Sequence, residues 1–305
     1  MIHIAGLSKT YRVGFWMKPK LALQKIDLTV SEGEIFGFIG PNGAGKSTTI
    51  KILTGLLRTS EGIVEVMGKS PMDPASRASL GYLPEHPYFY DYLTGYELLR
   101  FFGSLSGLRG KLLEERIEWS LELLHANHDW IHRRLRTYSK GMMQRVGLAQ
   151  AILAKPRLLI LDEPMSGLDP LGRRDVRDAI QSLNRDGCTI FYSSHVLSDV
   201  ESISHRVAMI VDGRIVQQGT VDEVTGGENA FYRVRISHGT LNLDTLKGVR
   251  LLGHPQEYLC EGPAPRDALI RACLDAGFGV EHIENDKPSL EEVLTREVAK
   301  EGLNG

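Results

Sequence analysis

Residues 40–47 read Gly40-Pro41-Asn42-Gly43-Ala44-Gly45-Lys46-Ser47, which satisfies G-x-x-x-x-G-K-[ST] at every fixed position. Glycines at this spacing let successive backbone N–H groups turn inward onto phosphate oxygens. The lysine then reaches the β- and γ-phosphates, and the Ser47 hydroxyl ligates Mg²⁺. Thr48, next along the chain, joins the nucleotide-contacting set. Alone, the loop says that a nucleoside triphosphate binds. A second stretch, Leu158-Leu159-Ile160-Leu161-Asp162-Glu163-Pro164, is an apolar strand ending in two carboxylates. Asp162 is placed to hold Mg²⁺ through water, and Glu163 to polarise an attacking water. A further apolar run, residues 189–192, delivers Ser193-Ser194-His195 at its C-terminal edge, where ligands sit in open α/β sheets. A lone histidine is more often structural, so His195 takes its meaning from its neighbours.

These groups need a scaffold, and the hydrophobic pattern supplies one. Residues 35–39 form a short apolar run that enters the glycine loop, and residues 47–57 have helical character, giving strand, loop and helix in that order. The short runs 158–161, 189–192 and 207–211 alternate with helical segments, as buried parallel strands do. Residues 88–154 carry helical periodicity, with Leu98, Leu99, Phe102 and Leu105 in the first part and Leu112, Leu113, Ile117, Leu121 and Leu124 in the second. At the start, residues 2–4 and 22–30 read as strands, with residues 13–20 as the long tip of a hairpin. After Gly226-Gly227-Glu228-Asn229 the pattern changes to a strand at 231–236, a loop-rich middle, a helix at 266–276, a strand at 280–283 and a helix at 289–299. The fold class is α/β, with a nucleotide-binding domain at 1–226, a helical insert at about 86–155, and a small α+β domain at 227–305.

Composition narrows the class further. The chain has 305 residues, enough for one large domain and a small one, and its 36 Lys+Arg against 38 Asp+Glu leave a net charge of −2. Nucleic acid held by bulk charge is not expected. No stretch approaches the ~18–20 apolar residues of a spanning helix, and the first residues lack the marks of a signal peptide, so a cytoplasmic protein is expected. Three cysteines, Cys188, Cys260 and Cys273, fit neither a disulfide framework nor a zinc site. His125, His128 and His132, with Asp129 between them, read as a solvated helix end, since no further ligand completes a metal set.

Between the loop and the acidic strand lies Tyr138-Ser139-Lys140-Gly141-Met142-Met143-Gln144-Arg145-Val146, and after the strand comes Ser166-Gly167-Leu168-Asp169. Together with residues 40–47, 158–164 and His195, in that order, the set resembles the nucleotide-binding subunit of an ABC transporter over about residues 1–225. The signature departs from Leu-Ser-Gly-Gly-Gln at Tyr138, Lys140 and Met142 and keeps Ser139 and Gly141, the positions that need a hydroxyl and a bare backbone. In the form Tyr-Ser-Lys-Gly-Met it is similar to subunits of type-2 exporters, the daunorubicin-resistance-like branch. The C-terminal Pro288-Ser289-Leu290-Glu291-Glu292-Val293 is similar to that branch's small extension.

The resemblance implies a P-loop ATPase core with a helical signature subdomain. It also implies ATP and Mg²⁺ as cofactors, a head-to-tail homodimer closing on two ATP molecules, and a separate multi-span permease that holds the chain at the inner face of the membrane. On this model Lys46 and Ser139 face one ATP from two chains. Tyr11 stacks on adenine, Asp169 contacts the other subunit's site, and His195 holds the γ-phosphate and the attacking water. Glu85 stands where the family usually has a glutamine. A carboxylate there can coordinate Mg²⁺ or its water, but it adds negative charge beside the phosphates. Tyr88, Phe89, Tyr90, Tyr92, Tyr96, Phe101 and Phe102 are either the insert's own core or a groove for a permease helix. Residues 13–20 mix aromatic and basic side chains, which reads as a hairpin tip or as a contact for an anionic membrane surface. The alternative function is an ABC ATPase acting on nucleic acid or ribosomes. Against it stand the absent cysteine pairs, the short insert and a length that admits one such domain.

Overall fold

The computed structural model of the chain describes residues 1–126, 128–226, 231–241, 243 and 246–302. These divide into two compact units, Met1–Gln218 and Gly219–Gly305. In chain order the first unit contains β1 (Ile2–Val13), β2 (Lys18–Val30), β3 (Ile35–Ile39), α1 (Lys46–Leu53), β4 (Glu61–Val66), α2 (Pro74–Arg77), β5 (Leu80–Leu83), α3 (Gly95–Leu105), α4 (Gly110–Leu123), α5 (His128–Ile131), α6 (Lys140–Ile152), β6 (Leu158–Asp162), α7 (Pro170–Arg185), β7 (Thr189–Ser194), α8 (Leu197–Ile203), β8 (Arg206–Val211) and most of β9 (Arg214–Thr220). The second contains α9 (Val221–Val224), β10 (Phe231–Ile236), β11 (Val249–Leu251), β12 (Glu257–Glu261), α10 (Pro263–Asp275), β13 (Val280–Asp286) and α11 (Leu290–Gly302).

Among the described residues the central sheet runs β5-β6-β7-β3-β8-β9. Pairings β5 to β6, β6 to β7, β7 to β3 and β3 to β8 are parallel, so their side chains are covered on both faces. Every residue of β3, β6 and β7 is buried, which is why each reads as an unbroken apolar run. The register sets Ile39 beside Ser194 and Asp162 beside Ser193. Three strands thus end level, and the residues that follow them, Gly40, Glu163 and His195, emerge at one sheet edge.

The amino-terminal hairpin differs from expectation. β1 and β2 run on to the pair Val13↔Lys18, leaving residues 14–17 as a tight turn closed by the Met17 N–H to Gly14 carbonyl bond (3.1 Å). Pro19 does not interrupt pairing, because β2 is an edge strand of the sheet β2-β1-β4 and gives up no central ladder bond.

The helical insert is also shorter than its periodicity suggests. Residues 88–94 are not helical, and α3 starts at a capping box in which Thr94 and Glu97 exchange side-chain and backbone bonds. Leu98, Leu99, Leu113, Ile117, Leu121 and Leu124 are buried, whereas Leu105 and Leu112 face out. α1 stops at Leu53 instead of residue 57, since Gly55 turns left-handed (φ 72°) beneath the Pro71 carbonyl, where a Cβ would lie 2.2 Å from the oxygen.

In the second unit the antiparallel sheet runs β11-β12-β10-β13 over a core of Val234, Ile236, Tyr258, Cys260, Leu269 and Cys273. The loop-rich middle hides two strands, β11 and β12, too short to show a period. The break read at 226/227 moves upstream, to 218/219, and residues 227–229 of that stretch lie outside the described residues. The physical reason is α9: it is capped by Thr220 and Glu223, packs on α11, and pairs Asp222 with Lys287 at 3.0 Å. The three cysteines are free, and burial pushes the Cys260 thiol up to about 11.

Candidate functional site

The loop after β3 packs directly on β8. A Cβ at Gly40 would sit 2.1 Å from the Ile210 carbonyl oxygen, a contact that backbone would have to move to relieve. Gly40→Ala should therefore lower stability by about 1–3 kcal/mol, read as a shift of the urea midpoint; an unchanged midpoint would mean that the loop does not need this approach. Gly45 has φ 117° and precedes α1, whose N-terminus has no side-chain cap. First-turn N–H groups without a cap, together with the positive end of the helix, make an anion site.

Lys46 is buried, and its ammonium donates to the carbonyls of Gly40 (2.6 Å) and Pro41 (3.2 Å) and lies 3.8 Å from Glu163 Oε1. The cavity beside it is lined by Pro41, Asn42, Gly43, Gly45, Ser47 and Thr48 from the loop. Glu85, Glu163 and His195 line it as well. Tyr11 adjoins the same group through its hydroxyl, 3.4 Å from Thr48 Oγ1. Gly40 and Ala44 do not line the cavity: Ala44 is buried in the core, and its N–H is spent on the Pro41 carbonyl at 3.2 Å.

Glu163 is the strained residue of the site. Its φ is 51°, a left-handed value that a non-glycine residue adopts at a cost of order 1–3 kcal/mol. Two buried side chains hold that peptide. Ser193 Oγ accepts the Glu163 N–H (3.0 Å) and donates to Asp162 Oδ1 (2.6 Å), and Gln144 Nε2 donates to the Glu163 carbonyl (3.3 Å). The Glu163 carboxylate is buried, with Oε2 2.6 Å from His195 Nδ1 and accepting the His195 N–H at 3.2 Å. Asp162 sits behind it and, with burial as the larger cause, helps push the Tyr82 phenol up to about 12. Sequence reasoning singled out neither Gln144 nor Ser193 for a role. Their roles lie in side-chain reach across β6 and β7 and from α6, for which motif spacing carries no signal.

Ser139, Gly141 and Asp169 are not at this cavity. They line a second one with Lys140, Gly167 and Leu168. Ser139 caps α6 by accepting the Met142 N–H (3.2 Å), and Asp169 caps α7 by accepting the Gly172 N–H (2.9 Å). Arg145 Nη2 on α6 bonds Asp175 Oδ2 on α7 at 2.9 Å and fixes the two caps relative to each other. Tyr138 replaces the usual leucine as an aromatic wedge, edge-on to Trp130 (5.0 Å, 89°), with its hydroxyl donating to the Trp130 carbonyl at 3.0 Å. Burial pushes that phenol up to about 12. Lys140 Nζ donates to Ser166 Oγ at 3.1 Å.

Of the aromatics at 88–102, Tyr88, Tyr90, Tyr92 and Phe101 are 97%, 56%, 62% and 44% exposed, so they are not the insert's core. Phe89 and Phe102 are half-buried and pack edge to face. Of the histidine set, the His132 ring lies 5.1 Å from that of Tyr96, tilted by 43°; the His128 side chain lies outside the described residues. Among the described residues no His/Cys/Asp/Glu cluster suited to a metal occurs.

Comparison with known proteins agrees with this geometry. The ABC transporter family model matches residues 23–166. An ABC transporter ATP-binding protein of Synechocystis sp. is 40% identical over 97% of this chain and 84% of its own length. The daunorubicin resistance ATP-binding protein DrrA3 of Streptomyces coeruleorubidus is 33% identical over 96% of this chain and 94% of its own. Among solved structures, the dimeric ATP-binding cassette MJ0796 bound to ADP and Pi superposes with a TM-score of 0.67, covering 72% of this chain and 98% of that one at 23% identity, a likeness of fold.

Proposed function

The chain belongs to the ABC transporter ATP-binding proteins, which bind and hydrolyse ATP, and from that premise we propose that it is the motor subunit of an export system whose membrane-spanning part is a separate chain. The observation that carries the reading is the division of the site. One chain holds a phosphate loop with its carboxylates in one cavity and the capped Ser139-Gly141 turn with Asp169 in another. Two copies, head to tail, bring the first cavity of each against the second cavity of its partner, so that ATP joins them and hydrolysis releases them.

Within that sandwich Lys46 turns from the Gly40 and Pro41 carbonyls to the β- and γ-phosphates, and the uncapped α1 N–H groups hold phosphate oxygens. Glu163 then accepts the proton of the water that attacks the γ-phosphorus as the bond to the ADP oxygen breaks. His195, on the exposed side of Glu163, orients the carboxylate and contacts the γ-phosphate; Tyr11 meets the adenine. The donor set fits Mg²⁺: Ser47, Asp162 and Glu85 are oxygen donors, and a cation that binds through one or two carboxylates and substrate phosphates needs no all-protein cage. Bound there by Ser47 and Asp162, with Glu85 at its water shell, Mg²⁺ would neutralise charge on the β- and γ-phosphates.

Export as the direction is supported by the daunorubicin-resistance relative. A separate permease is supported by the described helices, of which none is long and apolar enough to cross a membrane, and by the exposed Tyr88, Tyr90, Tyr92 and Phe101. Through that permease the chain sits at the cytoplasmic face of the membrane. The nucleic-acid alternative gains nothing: among the described residues the longest helix is α7, of 16 residues, so no long heptad arm is present, and the cysteines form no ligand cluster.

Affinity purification from solubilised membranes tests the partner, with a co-purifying multi-span protein as the expected result. Tyr90→Asp with Tyr92→Asp should keep basal ATPase activity within about twofold while abolishing its stimulation by the partner, because an aromatic anchor supplies much of an interface's energy. Stimulation at the parent level would remove these residues from the docking surface.

A further inference from the structure

The β1–β2 tip has no role in the nucleotide site or the core, yet it is among the most exposed apolar features of the chain. Phe15 and Trp16 are 92% and 80% exposed, and Val13 and Met17 beside them 45% and 56%. The two rings meet edge to face at 5.5 Å, and the paired strands on either side hold them forward. Arg12, Lys18 and Lys20, all exposed, flank the rings. The charge is segregated: residues 1–26 contain Lys9, Arg12, Lys18, Lys20 and Lys25 and no carboxylate, although the whole chain is net negative at −2.

We propose that this tip docks on an anionic lipid surface, with Phe15 and Trp16 entering the boundary between headgroups and acyl chains and Arg12, Lys18 and Lys20 lying against lipid phosphates. Tryptophan favours that boundary because its ring is apolar and its N–H is polar, and cations on long stems reach the headgroups from the same depth. Neither signal suffices alone. Two aromatics plus three cations give weak, reversible binding, and binding of that kind falls steeply with salt and with the loss of anionic lipid. Two exposed aromatics flanked by cations without a carboxylate complement a surface that is anionic at its phosphates and apolar just beneath them, and that combination commits the tip to lipid as its occupant.

The test uses the full chain and vesicles of phosphatidylcholine, alone or with about one-third phosphatidylglycerol. Sedimentation should carry the protein down with the anionic vesicles and not with the neutral ones, and about 1 M salt should release it, since the screening length then falls to about 3 Å. Lys18→Gln with Lys20→Gln should weaken partitioning by about 25-fold, at about fivefold for each cation. Phe15→Ser with Trp16→Ser should reduce it to the level of neutral vesicles, and both double variants should keep the basal ATPase rate. The proposal is overturned if the parent binds both vesicle types equally or neither, or if the variants sediment as the parent does. It is equally overturned if the tip is shielded only in a detergent-purified complex with a membrane protein, which would assign the surface to that protein.

Discussion

Glu163→Gln leaves ATP binding intact and lowers hydrolysis by about 10²–10⁴-fold, the span that a positioned general base contributes. Glutamine keeps the shape and the bond with His195 Nδ1 (2.6 Å) but cannot take up a proton from water. The strained peptide is held through its backbone by Ser193 and Gln144, so folding should not change with the side chain. If, as proposed, hydrolysis separates two head-to-tail chains, ATP should also hold the variant as a dimer, visible by size-exclusion chromatography with ATP and Mg²⁺. Hydrolysis at the parent rate would reassign the base. A slow variant that stayed monomeric with ATP would leave the base in place and remove the nucleotide sandwich.

Lys46→Ala produces the second large effect. The ammonium is the buried cation nearest the loop, and a hydrogen bond to a charged group is worth about 1.5–3 kcal/mol, or about 10–100-fold in ATP affinity. Hydrolysis should fall below detection, because in the proposed site the lysine stabilises the charge developing on the transferred phosphoryl group. Thermal unfolding separates this from damage to the fold. The parent should gain melting temperature with ATP and Mg²⁺, since a ligand that binds only the folded chain stabilises it in proportion to log concentration. The variant should unfold at nearly the parent temperature without nucleotide and gain almost nothing with it. A full ligand-induced shift would show that the uncapped α1 N–H groups and glycines bind the phosphates by themselves.

The strands at 35–39, 158–161 and 189–192 were legible because a strand covered on both faces has to be apolar throughout, and β3 spans the residues read for it. The hairpin is legible too, but the reach of its strands is not: Phe15, Trp16, Lys18 and Pro19 look like a loop, yet pairing to Val13 extends the strands past any apolar signal. Strands β11 and β12 leave little signal in the sequence, because β12 buries only Tyr258 and Cys260, too few to show alternation. Helical periodicity over 88–94 was spurious; there the tyrosines face outward instead of into a helix core.

By itself the sequence determined the chemistry and the order of its parts. Gly40 to Ser47, Asp162, Glu163, His195 and Ser139 to Asp169 are local patterns whose meaning lies in residue type and spacing, and the apolar runs before the phosphate loop, Glu163 and His195 are enough to mark three strands. Only the tertiary structure decided which of them meet. Parallel register levels the ends of β3, β6 and β7, so residues more than 110 apart in sequence, Lys46 and Glu163 or Ser47 and His195, share one cavity. The same packing, through the α6 and α7 caps and the Arg145–Asp175 pair, sets Ser139 and Asp169 at a different one. Contact across such separations depends on how sheets and helices close over a core, and no local pattern encodes it.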